Sequence, residues 1–135
     1  MNDQKTDGDF FPTSPILLVD DEENFLNSLY MTFRSEGISQ VERCKDSREV
    51  IPMLKQKTYS LIFLDILMPY IRGDKLLPQI LEEQPDVKVI MLTAVHEVEI
   101  AVKCVDSGAK DYLVKPVEKA ALLEKVMNVL KENTP

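Results

Sequence analysis

The feature that most constrains this chain is a rhythm: short runs of consecutive apolar residues recur, each followed by a segment of helical length. "PILLVD", "SLIFLD", "VKVIML" and "DYLVK" carry four such runs, and "ISQVERC" carries a weaker one. A strand with one wet face alternates apolar and polar residues, so unbroken apolar runs predict strands covered on both faces. "ISQVERC" reads as a strand at or near an edge.

The intervening segments supply the cover. "DEENFLNSLYMTFRSEG" puts Phe25, Leu26, Leu29 and Phe33 on one helical face, with acids in its first turn and Gly37 at its end. "DSREVIPMLKQKT" reads as a second helix capped by Asp46 or Ser47, which Pro52 should kink or shorten because it lacks an amide donor. "GDKLLPQILEEQP" turns Leu76, Leu77, Ile80 and Leu81 inward and places Pro78 near its start. "EVEIAVKCVDSG" and "EKAALLEKVMNVLKEN" complete the set. Five strands alternating with five helices predict an α/β domain: a flavodoxin-like, doubly wound parallel sheet in the order 2-1-3-4-5, with its crevice at the carboxyl ends of strands one and three.

At 135 residues the chain fits one domain, expected over residues 15–132, after a polar leader at 1–14 containing Phe10 and Phe11 and before a tail at 133–135. A net charge of −7 argues against nucleic-acid binding and for cations or basic partners. Cys44 and Cys104 match no metal or redox spacing and read as two reduced thiols. No apolar run reaches the roughly 18 residues of a membrane helix, so a soluble, cytoplasmic protein is expected.

Within "SLIFLD" stands Asp65, a carboxylate in an apolar run. Burying such a charge is costly unless it is paired, bound to a metal or set at the strand end. The other strand ends supply partners: Asp20-Asp21 after strand one, Thr93-Ala94 after strand four, and Lys115-Pro116 after strand five. Taken singly, each is an ordinary cap or turn residue, and Asp20 to Glu23 would be first-turn acids favoured by the helix dipole. Brought to one sheet edge, they make a site of three carboxylates, a hydroxyl and an ammonium. Mutual repulsion among the carboxylates calls for a cation, and an all-oxygen donor set selects a hard one, Mg²⁺ first. One carboxylate at a strand end then remains free to act as a nucleophile toward phosphorus, with the metal and Lys115 neutralising the phosphoryl oxygens and Thr93 donating to one of them.

Asp20-Asp21, "LDILMPYIRG", Thr93-Ala94 and "DYLVKP" resemble the receiver domain of bacterial two-component response regulators, in order and spacing, over about residues 15–132. The resemblance implies that Asp65 accepts a phosphoryl group from the phosphohistidine of a sensor histidine kinase or phosphotransfer protein. It implies that Asp21, Asp65 and the backbone carbonyl of Leu67 bind Mg²⁺, with Mn²⁺ as a substitute and Asp20 acting through water. It further implies that Thr93 and Tyr112 form a switch acting on the face of the fourth helix, fifth strand and fifth helix, through which a homodimer could form. By residue type alone Tyr112 is an ordinary half-buried strand aromatic, and His96 an exposed loop residue. Val98, Ile100, Ala101, Val102 and Val105 give the fourth helix more apolar surface than one buried stripe needs.

Leu67 and Val95, each two residues beyond a site residue, flank in this family the path of the water that hydrolyses the acyl phosphate. Both are apolar here, which predicts a long-lived phosphorylated state. Three other readings compete. An aspartate-nucleophile phosphatase needs a second acid where Leu67 stands. A nucleotide- or flavin-binding module needs glycines where "DDEEN" stands. A degenerate receiver serving only as an interaction module would lack part of the site, and no member is missing. The expected molecule is a signalling domain and no enzyme beyond its own phosphotransfer and slow self-dephosphorylation.

Overall fold

The structure, a computed structural model, describes residues 14–131. The expected tail at 133–135 and all of the expected leader but Ser14, Phe10 and Phe11 included, lie outside the described residues. Five strands, β1 (Ile16–Val19), β2 (Val41–Cys44), β3 (Leu61–Asp65), β4 (Lys88–Thr93) and β5 (Asp111–Val114), form one sheet. Its order is β2-β1-β3-β4-β5 and every pairing is parallel. This is the flavodoxin-like arrangement expected from the alternation of apolar runs and helices.

Five α-helices cover the sheet: α1 (Glu23–Ser35), α2 (Val50–Gln56), α3 (Gly73–Glu83), α4 (Val98–Asp106) and α5 (Lys119–Lys131). Leu17, Val19, Ile62, Leu64, Val89 and Met91 pack on one face beneath α2, α3 and α4. Ile16, Leu18, Leu61, Phe63, Ile90 and Leu92 pack on the other against Leu26, Leu29 and Phe33 of α1 and Leu122, Val126 and Val129 of α5. Every residue of β1, β3 and β4 is therefore buried, whereas the edge strands β2 and β5 regain partial exposure. The consecutive apolar runs belong to the three inner strands for that reason.

The helix ends follow local rules. Gly37, at φ 85°, closes α1: its amide donates to Arg34 O at 3.0 Å and the Ile38 amide to Phe33 O at 3.0 Å. Pro52 does shorten its helix, as α2 has 7 residues and starts after a 3₁₀ turn at Ser47–Glu49. Pro52 then sits in the first helical turn, where a missing amide costs nothing. Pro78 departs from expectation, lying in the middle of α3 rather than near its start. The helix continues because Leu76, Leu77 and Ile80 on either side are buried against the sheet and hold it through the lost hydrogen bond. Leu81 is only half-buried.

The register aligns the functional edge. Val19, Leu64, Met91 and Tyr112 form one row across four strands. The chain leaves the sheet just beyond that row, so Asp20, Asp21, Asp65, Thr93 and Lys115 all emerge at the same end.

Candidate functional site

Asp20 follows the last residue of β1 and is completely buried, and Asp65 ends β3 at 6% exposure. Asp21, one residue further along, is exposed. One carboxylate oxygen from each of the three lies within 4.8 Å of the others. Lys115, one residue beyond β5, reaches back over them, its Nζ 2.6 Å from Asp20 Oδ2 and 3.4 Å from Asp65 Oδ1. Nζ also stands 3.9 Å from Glu22 Oε1 and 4.4 Å from the centroid of the Phe25 ring, a cation–π contact. The Lys115–Pro116 peptide is cis, and the Lys115 amide donates to Thr93 O at 2.8 Å.

Electrostatics follow from this crowding. Burial raises the Asp65 carboxyl, and the neighbouring Asp20 charge raises it further, to about 7 against the pull of Lys115. Burial likewise raises Asp20, opposed by Lys115 and by the Glu22 amide, which donates to Asp20 Oδ1 at 2.8 Å. Burial alone would lower Lys115, but the Asp20 and Asp65 carboxylates outweigh it and hold the ammonium above its usual range. Asp20 Oδ2 has Lys115 as an ion-pair neighbour yet accepts no well-aligned hydrogen bond. Three carboxylates against one ammonium, with a buried oxygen lacking a directed donor, are the surroundings a hard divalent cation satisfies. The residues present fit such an ion.

The loop after β3 is closed at its base, where the Gly73 amide donates to Ile66 O at 2.7 Å. A Cβ on Gly73 would overlap the Asp65 carbonyl oxygen, so only glycine lets α3 start this close to Asp65. Leu67 on this loop is 43% exposed, and Val95 beyond β4 is 75% exposed. A cavity of about 310 Å³ opens beside Leu67, lined by Asp21, Asp65, Leu67, Ala94, Glu97 and Lys115 among others; Val95 follows Ala94 but does not line it.

Not every expected residue reaches this cavity. Thr93 is buried, and its hydroxyl donates to Ala94 O at 3.1 Å rather than into the open space. Tyr112 is half-buried against the α2–α3–α4 side of the core and does not line the cavity. His96 is exposed, 3.6 Å from Glu97 Oε2. Three residues escaped sequence reasoning. By sequence Phe25 belongs to the core face of α1, Glu22 is a first-turn acid, and Glu97 carries no signal.

Comparison with known proteins adds the family. The model of the response regulator receiver domain matches residues 16–127. The chain is 32% identical to the regulatory protein VanRB of Enterococcus faecalis over 87% of its own length, and it spans 53% of that relative's length. It is 30% identical to the chemotaxis protein CheY of Treponema pallidum, covering 86% of this chain and 82% of the relative. A chain of the CheX–CheY–BeF₃–Mg²⁺ complex from Borrelia burgdorferi superposes with a TM-score of 0.80 at 31% identity, covering 88% of this chain and 90% of that one.

Proposed function

The chain belongs to the response regulator receiver domain family of two-component systems, and from that premise we propose that Asp65 is its phosphoacceptor. The observation that carries the reading is the position of Asp65: a nearly buried carboxylate at a strand end, 3.4 Å from Lys115, beside two further carboxylates and facing an open cavity. The donor is the phosphohistidine of a sensor histidine kinase or phosphotransfer protein. An ionised Asp65 oxygen attacks phosphorus, the P–N bond breaks as the new P–O bond forms, and the electron pair leaves with the imidazole nitrogen.

Asp21, Asp65 and the Leu67 carbonyl would hold Mg²⁺, or Mn²⁺ in its place, with Asp20 acting through water. When bound, the cation supplies neutralisation of the phosphoryl oxygens and keeps the nucleophile ionised at neutral pH. Lys115 meets one phosphoryl oxygen as a fixed ammonium, its aim held by the Asp20 contact beneath it. Thr93 donates to another after its hydroxyl turns away from Ala94 O. Leu67 on the cavity wall and Val95 just beyond Ala94 carry only hydrocarbon and offer no group to orient a hydrolytic water.

The Thr93 rotation makes room for Tyr112 to turn inward, which changes the surface of α4, β5 and α5 and presents a homodimer or partner face there. The unit over 15–132 works as a cytoplasmic signalling module that catalyses only its own phosphotransfer and slow dephosphorylation. VanRB extends well beyond the matched segment, since the chain spans 53% of its length. A phosphatase reading is disfavoured because Leu67 stands where a second acid is needed.

Mass spectrometry after incubation with acetyl phosphate and Mg²⁺ tests the proposal. One phosphoryl adduct, lost in Asp65→Asn, is expected. Its absence from the unaltered protein would remove the reading.

A further inference from the structure

Ser47 lies between β2 and α2, where a serine usually caps a helix. Here Asp46 takes that role, accepting from the Arg48 amide at 2.9 Å. The Ser47 hydroxyl is instead 2% exposed and turned toward a different part of the chain. It donates to Pro69 O at 2.7 Å and accepts from the Ile71 amide at 3.1 Å. The same amide also donates to Pro69 O at 2.9 Å, which closes a three-residue turn around Tyr70 at φ 74°. A positive φ at a tyrosine is a strained γ-turn geometry that persists only where its surroundings hold it.

Those surroundings come from one short segment. Ser47 engages both polar groups that close the turn, and the Arg48 guanidinium lies 3.6 Å above the Tyr70 ring. Arg48 is itself held by the Asp46 carboxylate, through contacts of 3.0 and 2.8 Å. The loop after β3 is thus tied at two places: at its base by the Gly73 amide on Ile66 O, and at its crown by Ser47. Leu67 lies between the two ties. A chain fixed at both ends of so short a stretch has little freedom to turn its carbonyls.

We propose that Ser47 is a positioning residue of the cation site, fixing through its two bonds to the Pro69–Ile71 turn the loop that carries the Leu67 carbonyl. The inference rests on the reading of that carbonyl as a cation ligand. Groups that orient metal ligands from behind typically change affinity by roughly ten- to a hundredfold when removed.

The test uses Mn²⁺ alone, read by its electron paramagnetic resonance signal without any phosphodonor, together with hydrogen exchange at the Ile71 amide. Ser47→Ala should weaken Mn²⁺ binding on the order of tenfold and speed exchange at Ile71, with the sheet amides as protected as before. Ser47→Thr, which keeps the hydroxyl, should restore both. Should Ser47→Ala fail to fold, Arg48→Ala at its exposed position asks the same question, and the same two changes are expected in smaller degree. Unaltered Mn²⁺ affinity in the variants, beside normal binding by the unaltered protein, overturns the positioning role alone. No Mn²⁺ binding by the unaltered protein would overturn the cation reading and this inference with it.

Discussion

Lys115 pairs more closely with Asp20 than with Asp65: its ammonium stands 2.6 Å from the first carboxylate and 3.4 Å from the second. The counter-charge of the site is therefore committed mainly to the carboxylate that is not the proposed acceptor. The Asp65 carboxyl is raised to about 7, first by burial and then by the Asp20 charge, against the pull of Lys115. Whatever ionises Asp65 at neutral pH has to add positive charge to the site.

The first consequence is a pH dependence of metal-free stability. The folded Asp65 value, about 7, lies above its ordinary value of 3.8, so the stability it contributes is fully present below 3.8 and is lost as pH rises through about 7. Asp20, also raised, acts in the same sense. Lys115 stays charged in both states across this range and adds no slope. Urea unfolding in a chelator should show stability falling between pH 4 and 7, and Asp65→Asn should flatten the fall. Added Mg²⁺ should restore most of it at pH 7 and little at pH 5. A slope that is the same in Asp65→Asn would contradict the assignment.

Gly73→Ala should be among the most damaging single methyl additions to this chain. The new Cβ meets backbone atoms of Asp65 and Ile66 rather than a flexible side chain, so relief requires moving α3 or the end of β3. A loss of about 3 kcal/mol is expected from such overpacking. Equilibrium unfolding measures it, and a loss below about 1 kcal/mol would show that the helix start yields freely.

The lifetime of the phosphorylated state should respond to its hydrocarbon rim. Leu67 lines the cavity, Val95 follows the lining residue Ala94, and both are exposed, so polar replacements there meet little steric opposition. Leu67→Asn combined with Val95→Glu should hasten loss of the acyl phosphate, approaching the ~10²-fold low end of what a positioned proton acceptor contributes. Following the adduct with time by mass spectrometry decides it, and an unchanged rate would refute the idea.

Thr93→Ala should separate phosphorylation from its readout. Its hydroxyl now engages Ala94 O, away from Asp65, so the acceptor keeps its nucleophile, cation ligands and Lys115 without it. The variant should still take up phosphoryl groups from acetyl phosphate, more slowly. On adding beryllofluoride it should lose the chemical-shift changes around Tyr112 and any change in sedimenting mass that the unaltered protein shows. Equal responses in both proteins would place the coupling elsewhere.

The parts legible in the sequence share a cause. Inner strands buried on both faces are apolar along their interior, so "ILLV", "LIFLD" and "KVIMLT" mark β1, β3 and β4, and the polar residues at their carboxyl ends mark where the sheet stops. The convergence of Asp20, Asp21, Asp65 and Lys115 follows from those ends and from parallel pairing. Residues whose partners come from another part of the chain were opaque. Ser47 carries the local signature of a cap, and only the approach of Pro69 and Ile71 reveals its use. The orientation of the Thr93 hydroxyl is a rotamer choice that residue type does not encode. Pro78 was placed by helix-start preference, a local rule overridden by the burial of Leu76, Leu77 and Ile80.

The sheet's two borders set how copies of this domain can meet. β2 and β5 are each four residues long, and Glu42, Arg43 and Asp111 put charge on them. Strand edges this short and charged are poor templates for a foreign strand. Contacts between copies are thereby steered toward the helical surfaces that flank the sheet. Continuous backbone pairing between copies, the self-contact slowest to come apart, is disfavoured at both borders.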